Sequence, residues 1–211
     1  MYLEVKNVTK EIGSDIVLKN INISMERGHI YGIEGKNGCG KSMLMRVISG
    51  FVFPTEGSVM INGKFIGKDI SFPESAGIII ENPGFLGSYS GFENLKILAS
   101  IKNKITDEDI INALQRVNLE DAKNKKFRKY SLGMKQKLGI AAAIMEKPEL
   151  LIFDEPTNAL DENSEELFWN IVKEEKQRGA LIIISCHDSD ALTEISDRIF
   201  KMDKGQIVED K

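Results

Sequence analysis

The chain has 211 residues, of which 42% are apolar and 28% charged, and its formal net charge is −4. That is an ordinary globular composition with enough chain for a sizeable core, and its acidic balance argues against a nucleic-acid partner. No run approaches the ~18 apolar residues of a membrane span. Residues 1–7 lack the basic and apolar regions of a signal peptide, and two cysteines, Cys39 and Cys186, suit reduced thiols rather than a disulfide framework. The expectation is an intracellular protein that meets a membrane only through a partner.

Residues 2–8 and 16–25 alternate Leu3, Val5, Leu18, Ile21 and Ile23 with polar neighbours, which predicts strands of a half-buried sheet, and Gly13-Ser14-Asp15 predicts a hairpin between them. Residues 29–34 read as a buried strand. Next comes Gly35-Lys36-Asn37-Gly38-Cys39-Gly40-Lys41-Ser42, the phosphate-loop pattern of glycine, four residues, then Gly-Lys-Ser. Its glycines let backbone N–H groups curl around a phosphate, Lys41 supplies a point charge, and the Ser42 hydroxyl is placed to ligate Mg²⁺. Met43, Leu44, Val47 and Ile48 then recur at helical spacing, so a helix dipole points at the same anion. Strand, glycine loop and helix is the order that gives the motif meaning.

The helix ends at Gly50, Pro54 and Gly57 break the chain, and a strand at 58–61 precedes an Asn62-Gly63 hairpin turn. A strand at 76–80 carries Ile78-Ile79-Ile80 without alternation, as expected of a strand covered on both faces. From Gly91 to Glu146 the pattern is helical: residues 94–101, then a capping box of Thr106 and Asp109 before Ile110, Ile111, Leu114 and Val117, then a helix over about 132–146. The basic cluster Lys123, Lys125, Lys126, Arg128 and Lys129 reads as a solvated surface or a contact for lipid headgroups or a partner. Strands return at 150–153, 181–185 and 199–202, with a crossing helix at 165–178 stopped by Gly179.

The apolar strand at 150–153 ends in Asp154 and Glu155, which delivers two carboxylates to the edge of a parallel sheet where ligands bind. Asp154 would hold Mg²⁺ through water, and Glu155 would polarise an attacking water.

Together these motifs resemble the ATP-binding subunit of an ATP-binding cassette (ABC) transporter, over about residues 2–208. The family's LSGGQ-like signature is matched by Tyr130-Ser131-Leu132-Gly133-Met134, where Ser131 and Gly133 open a helix and offer a hydroxyl and N–H groups. Asn158-Ala159-Leu160-Asp161 resembles the D-loop, and His187 follows its strand as the switch histidine does, implying contact with the γ-phosphate. Three positions depart from the family pattern: Glu81 stands where a glutamine that touches the metal is usual, so it joins Ser42 and Asp154 as an expected Mg²⁺ ligand while adding negative charge near the triphosphate; Leu132 replaces a signature glycine, and Cys39 replaces a common alanine. The aromatic that stacks on adenine aligns near Ile12, with Tyr2 or Tyr31 as alternative stackers.

The resemblance implies an α/β fold, a P-loop NTPase (RecA-like) core with an N-terminal antiparallel β subdomain and an inserted α-helical subdomain. It implies a single domain over 1–211, with 1–84 and 148–211 as nucleotide-binding core and 85–147 as helical signature lobe. ATP and Mg²⁺ would be bound by residues 35–43, with Ser131, Gly133 and Asp161 completing the site of a second copy or a related subunit in a head-to-tail dimer. A separate integral-membrane permease, docking near residues 83–94, would hold the protein on the inner face of the membrane, and the subgroup resembles bacterial exporters of peptides and antibiotics. A soluble ABC-type ATPase acting on ribosomes or DNA is the alternative. A phosphate-loop kinase or switch would leave residues 131–138 and His187 unexplained.

Overall fold

The computed structural model describes residues 1–81, 84–186 and 189–211. Strands β1 (Leu3–Ile12) and β2 (Asp15–Met25) form the expected hairpin, with Ile12 opposite Asp15 at its tip. β3 (Ile30–Glu34) leads through the glycine loop into α1 (Lys41–Ile48), and β4 (Glu56–Ile61) turns at Asn62-Gly63 into the short β5 (Lys64–Phe65). β6 (Ala76–Ile79) precedes α2 (Gly91–Lys102), α3 (Asp107–Arg116) and α4 (Leu132–Ile144). Then come β7 (Leu150–Asp154), α5 (Glu162–Gln177), β8 (Leu181–Ser185), α6 (Ser189–Ile195), β9 (Arg198–Asp203) and β10 (Gln206–Asp210). Among the described residues no helix is long and apolar enough to cross a membrane.

Two sheets result. One is antiparallel in the order β2-β1-β4-β5; the other runs β10-β9-β3-β8-β7-β6, parallel except for β10. β7 and β8 are buried along their whole length, which explains their unbroken apolar runs. Their side chains alternate between two cores. Leu150, Ile152, Leu181 and Ile183 face α1 and the antiparallel sheet, whereas Leu151, Phe153, Ile182 and Ile184 face the helical side with Leu114, Leu138 and Phe168.

α4 lies directly on β6, because a Cβ on Gly77 would sit 1.9 Å from the Ala143 carbonyl oxygen. A second link joins the helical lobe to the core. Arg116 of α3 donates to Glu174 and to the buried Glu175 of α5, and Arg178 donates to Glu175 as well. Two guanidinium groups thus neutralise one buried carboxylate.

Helix starts differ from the sequence pattern where capping chemistry decides them. α2 begins at Gly91, since Ser90 and Glu93 form a reciprocal capping box, and α5 begins at Glu162, capped by Asp161 accepting from the Ser164 N–H. α6 and β10 add an element each beyond the pattern: the first is seven residues long, and the second leaves most of its side chains at least partly exposed.

Candidate active site

The loop between β3 and α1 is shaped by close backbone approach. Gly40, the residue before α1, has φ of 111°, and a Cβ on Gly35 would lie 2.5 Å from both the Cys39 sulfur and the Met202 carbonyl oxygen. α1 has no side-chain cap and no acidic residue in its first turn, so its first N–H groups and dipole face the loop. Lys41 is buried; its Nζ donates to the Gly35 carbonyl at 2.7 Å and lies 3.9 Å from Glu155 Oε1. Lys36, Asn37 and Gly38 are exposed, Ser42 and Met43 half-buried, and Cys39 buried.

The carboxylates come from the end of β7, and β8 orients them. Asp154 is buried, and the fully buried Ser185 hydroxyl donates to its Oδ1 at 2.5 Å. The Glu155 N–H donates to the Ser185 carbonyl and to its Oγ, both at 3.1 Å. Glu155 has φ of 50°, a conformation that a non-glycine residue keeps only when its surroundings enforce it. One hydroxyl therefore holds the Asp154 carboxylate and the backbone of Glu155. Ser185 carries no motif of its own; its role follows from the β7–β8 register, which sets it beside Asp154.

A cavity of about 340 Å³ opens next to these acids, lined by Glu81, Leu132, Gln136, Asp154, Glu155 and Asn158. Glu81 follows β6 with φ of 65°, and its exposed carboxylate pairs with Arg46 of α1. The signature segment reaches this cavity from the helical side. Ser131 caps α4 by accepting from the Met134 N–H, a Cβ on Gly133 would lie 2.9 Å from the Ala159 carbonyl oxygen, and the buried Gln136 amide donates to the Pro156 carbonyl at 2.8 Å. Asp161 is exposed, and the hydroxyl and N–H of Ser164 hold its carboxyl below the usual carboxylate range. His187 lies outside the described residues.

A second recess of about 620 Å³ is lined by Gly35, Lys36, Cys186, Lys201, Met202 and Asp203. β2 passes over the loop beside it, since a Cβ on Gly40 would lie 3.1 Å from both Leu18 and the Val17 carbonyl oxygen. Ile12 and Ile16, both about half exposed, stand across the nearby hairpin tip. Tyr31 is not available as a stacker: it is buried against Phe200, and its hydroxyl accepts from the Glu26 N–H. Tyr2 sits beyond the opposite end of β1, roughly 30 Å from Ile12 by strand rise, beside Asn62 and Glu149.

A family model described as ABC transporter matches residues 18–158, from β2 through the loop after β7. The chain belongs to the ABC transporter family. It is similar to an ABC transporter ATP-binding protein, YybJ, of Bacillus subtilis (strain 168), 48% identical over 97% of this chain and 94% of that protein. The bacitracin transport ATP-binding protein BcrA of Enterococcus faecalis is 41% identical over 99% of this chain and 68% of its own length. A solved structure of an ATP-binding subunit of an ABC transporter superposes with a TM-score of 0.91 at 26% identity, covering all of this chain and 90% of that one. This ABC cassette is an ATP-binding subunit and an ATPase, built on the P-loop NTPase fold.

Proposed function

We propose that the chain is the motor subunit of an exporter, in which ATP binding and hydrolysis at residues 35–42 and at the ends of β7 and β8 drive a separate permease. The observation that carries this reading is the approach of Lys41 to Glu155 beside Asp154, with Ser185 holding the Asp154 carboxylate and the Glu155 backbone. In this assignment the loop N–H groups and Lys41 bind the β- and γ-phosphates, and Glu155 polarises the attacking water with His187 at the γ-phosphate. Ile12, with Ile16 across the turn, packs on adenine. Ser42 and the buried Asp154 are oxygen donors of the kind Mg²⁺ takes. Such an ion is held by one or two carboxylates together with substrate phosphates. When bound, Mg²⁺ would offset phosphate charge.

The core comprises 1–84 and 148–211, and the signature lobe 85–147. Ser131 and Gly133 open a helix of the lobe while the phosphate loop opens a helix of the core, so each ATP is completed by Ser131, Gly133 and Asp161 of a second copy or related subunit. The resulting dimer closes on ATP and opens after hydrolysis. It sits on the cytoplasmic face of the membrane through the permease, docked near residues 83–94, where Leu86 and Tyr89 are exposed. The name of BcrA supports a peptide antibiotic or similar compound as cargo.

The test is co-purification of tagged chain from its native membranes with ATPase assayed in the same preparation. Recovery of a multi-span permease with ATPase activity is the expected result. Active protein recovered with ribosomal or DNA factors and no membrane protein would contradict the export reading.

A further inference from the structure

Three carboxylates, Glu81, Asp154 and Glu155, border one cavity, and the last of them lies 3.9 Å from the Lys41 ammonium of the phosphate loop. Two of them are answered within the core. Ser185 donates to Asp154, and the Lys41 ammonium faces Glu155. Glu81 differs in being exposed, at 69% of its side-chain surface, and in pairing with a residue that none of the phosphate-binding motifs includes. That residue is Arg46, four positions after Ser42 and so on the same face of α1, one turn behind the expected metal ligand.

Stability does not explain the pair. An exposed ion pair contributes little to folding, yet this one bridges α1 to the end of β6, where the Glu81 backbone holds a left-handed φ. Its electrostatic effect falls on the cavity. An uncompensated carboxylate there would repel a triphosphate bound at Lys41, and a neighbouring guanidinium cancels most of that field.

We propose that Arg46 is a positioning residue for nucleotide binding: it holds Glu81 in a neutral pair, so that a carboxylate can stand at the mouth of the phosphate site without repelling ATP. The inference rests on the nucleotide site assigned above. It makes the role of Glu81 that of a charge-balanced wall rather than a metal ligand. It also makes the two residues interdependent, since losing the arginine is harmful only while the acid remains.

Equilibrium binding of Mg²⁺·ATPγS to the full chain tests this with four variants: Arg46→Gln, Arg46→Lys, Glu81→Gln and the Arg46→Gln/Glu81→Gln pair. Arg46→Gln is expected to bind about tenfold more weakly at low salt, and the deficit should shrink to about twofold or less near 0.5 M salt, where screening is short-ranged. Arg46→Lys keeps the charge and should stay within about twofold of the parent. The double variant should recover to the same range, because neutralising Glu81 removes the repulsion. Glu81→Gln alone should bind as tightly as the parent with an unchanged Mg²⁺ requirement, a result that does not depend on how well Arg46→Gln folds. Three outcomes overturn the inference: unaltered binding by Arg46→Gln, an equal loss with and without Glu81→Gln, or a raised Mg²⁺ requirement for Glu81→Gln. A parent chain that fails to bind, or a Lys41→Ala variant that binds as well as the parent, overturns the nucleotide assignment and this inference with it.

Discussion

Ser185 donates to the Asp154 carboxylate and accepts from the Glu155 backbone N–H, and it is fully buried. Ser185→Ala deletes the donor to Asp154 and leaves a buried carboxylate short of a hydrogen bond, which should lower stability by about 1–3 kcal/mol. Misplacing Asp154 and Glu155 should also reduce kcat by about tenfold or more with a smaller change in KM; steady-state ATPase assays beside thermal melts check this. Unchanged kcat would mean that the acids are held by other contacts. Sequence alone exposed the acids and the phosphate loop because each is a contiguous pattern whose residue types have few other uses. Ser185, Gln136 and Arg46 stayed hidden because their roles come from contacts across 31, 20 and 35 positions of chain.

At the scale of elements, capping and close packing set the boundaries. Glu93 at the start of α2, Asp109 at the start of α3 and Asp161 before α5 accept hydrogen bonds from Ser90, Thr106 and Ser164, which hold all three carboxyls below their usual range. The folded state therefore binds protons less readily than the unfolded chain. The stabilisation is complete above the unfolded carboxylate pKa of about 4 and is lost as pH falls through the lowered folded values. Melting temperature should be nearly flat from about pH 7 to 5 and fall below about pH 4, less steeply in Asp109→Asn; an unchanged slope would remove Asp109 from the linkage.

Gly77→Ala makes a different demand. Its methyl would meet the backbone of α4, so helix and strand must separate, costing about 1–3 kcal/mol or more in a denaturant titration. A neutral result would show that α4 can shift freely on β6. The Thr106 box was legible because its spacing stands alone before an apolar stripe, whereas β10 has no buried face to leave a pattern.

On the scale of the molecule, two sheets share α1, and the helical lobe is fastened to the larger sheet at Gly77 and to α5 through the Arg116–Glu175 ion pair. The hairpin strands, the buried strands and the helical insertion were readable in the hydrophobic period, whereas the P-loop core with its antiparallel subdomain was implied by the family resemblance. The order of strands was not readable, because parallel pairing joins segments far apart in the chain. The proposed motor depends on this arrangement: the phosphate loop and carboxylates sit on the core, while the segment that would complete a partner's site sits on the lobe. The Glu155→Gln variant tests that account most directly, with its mass measured by light scattering with and without Mg²⁺·ATP and its phosphate release followed in the same samples. Release should fall by about 100-fold or more while ATP still binds and converts monomer to dimer. Hydrolysis at the parent rate, or a protein that binds ATP yet stays monomeric, would contradict it.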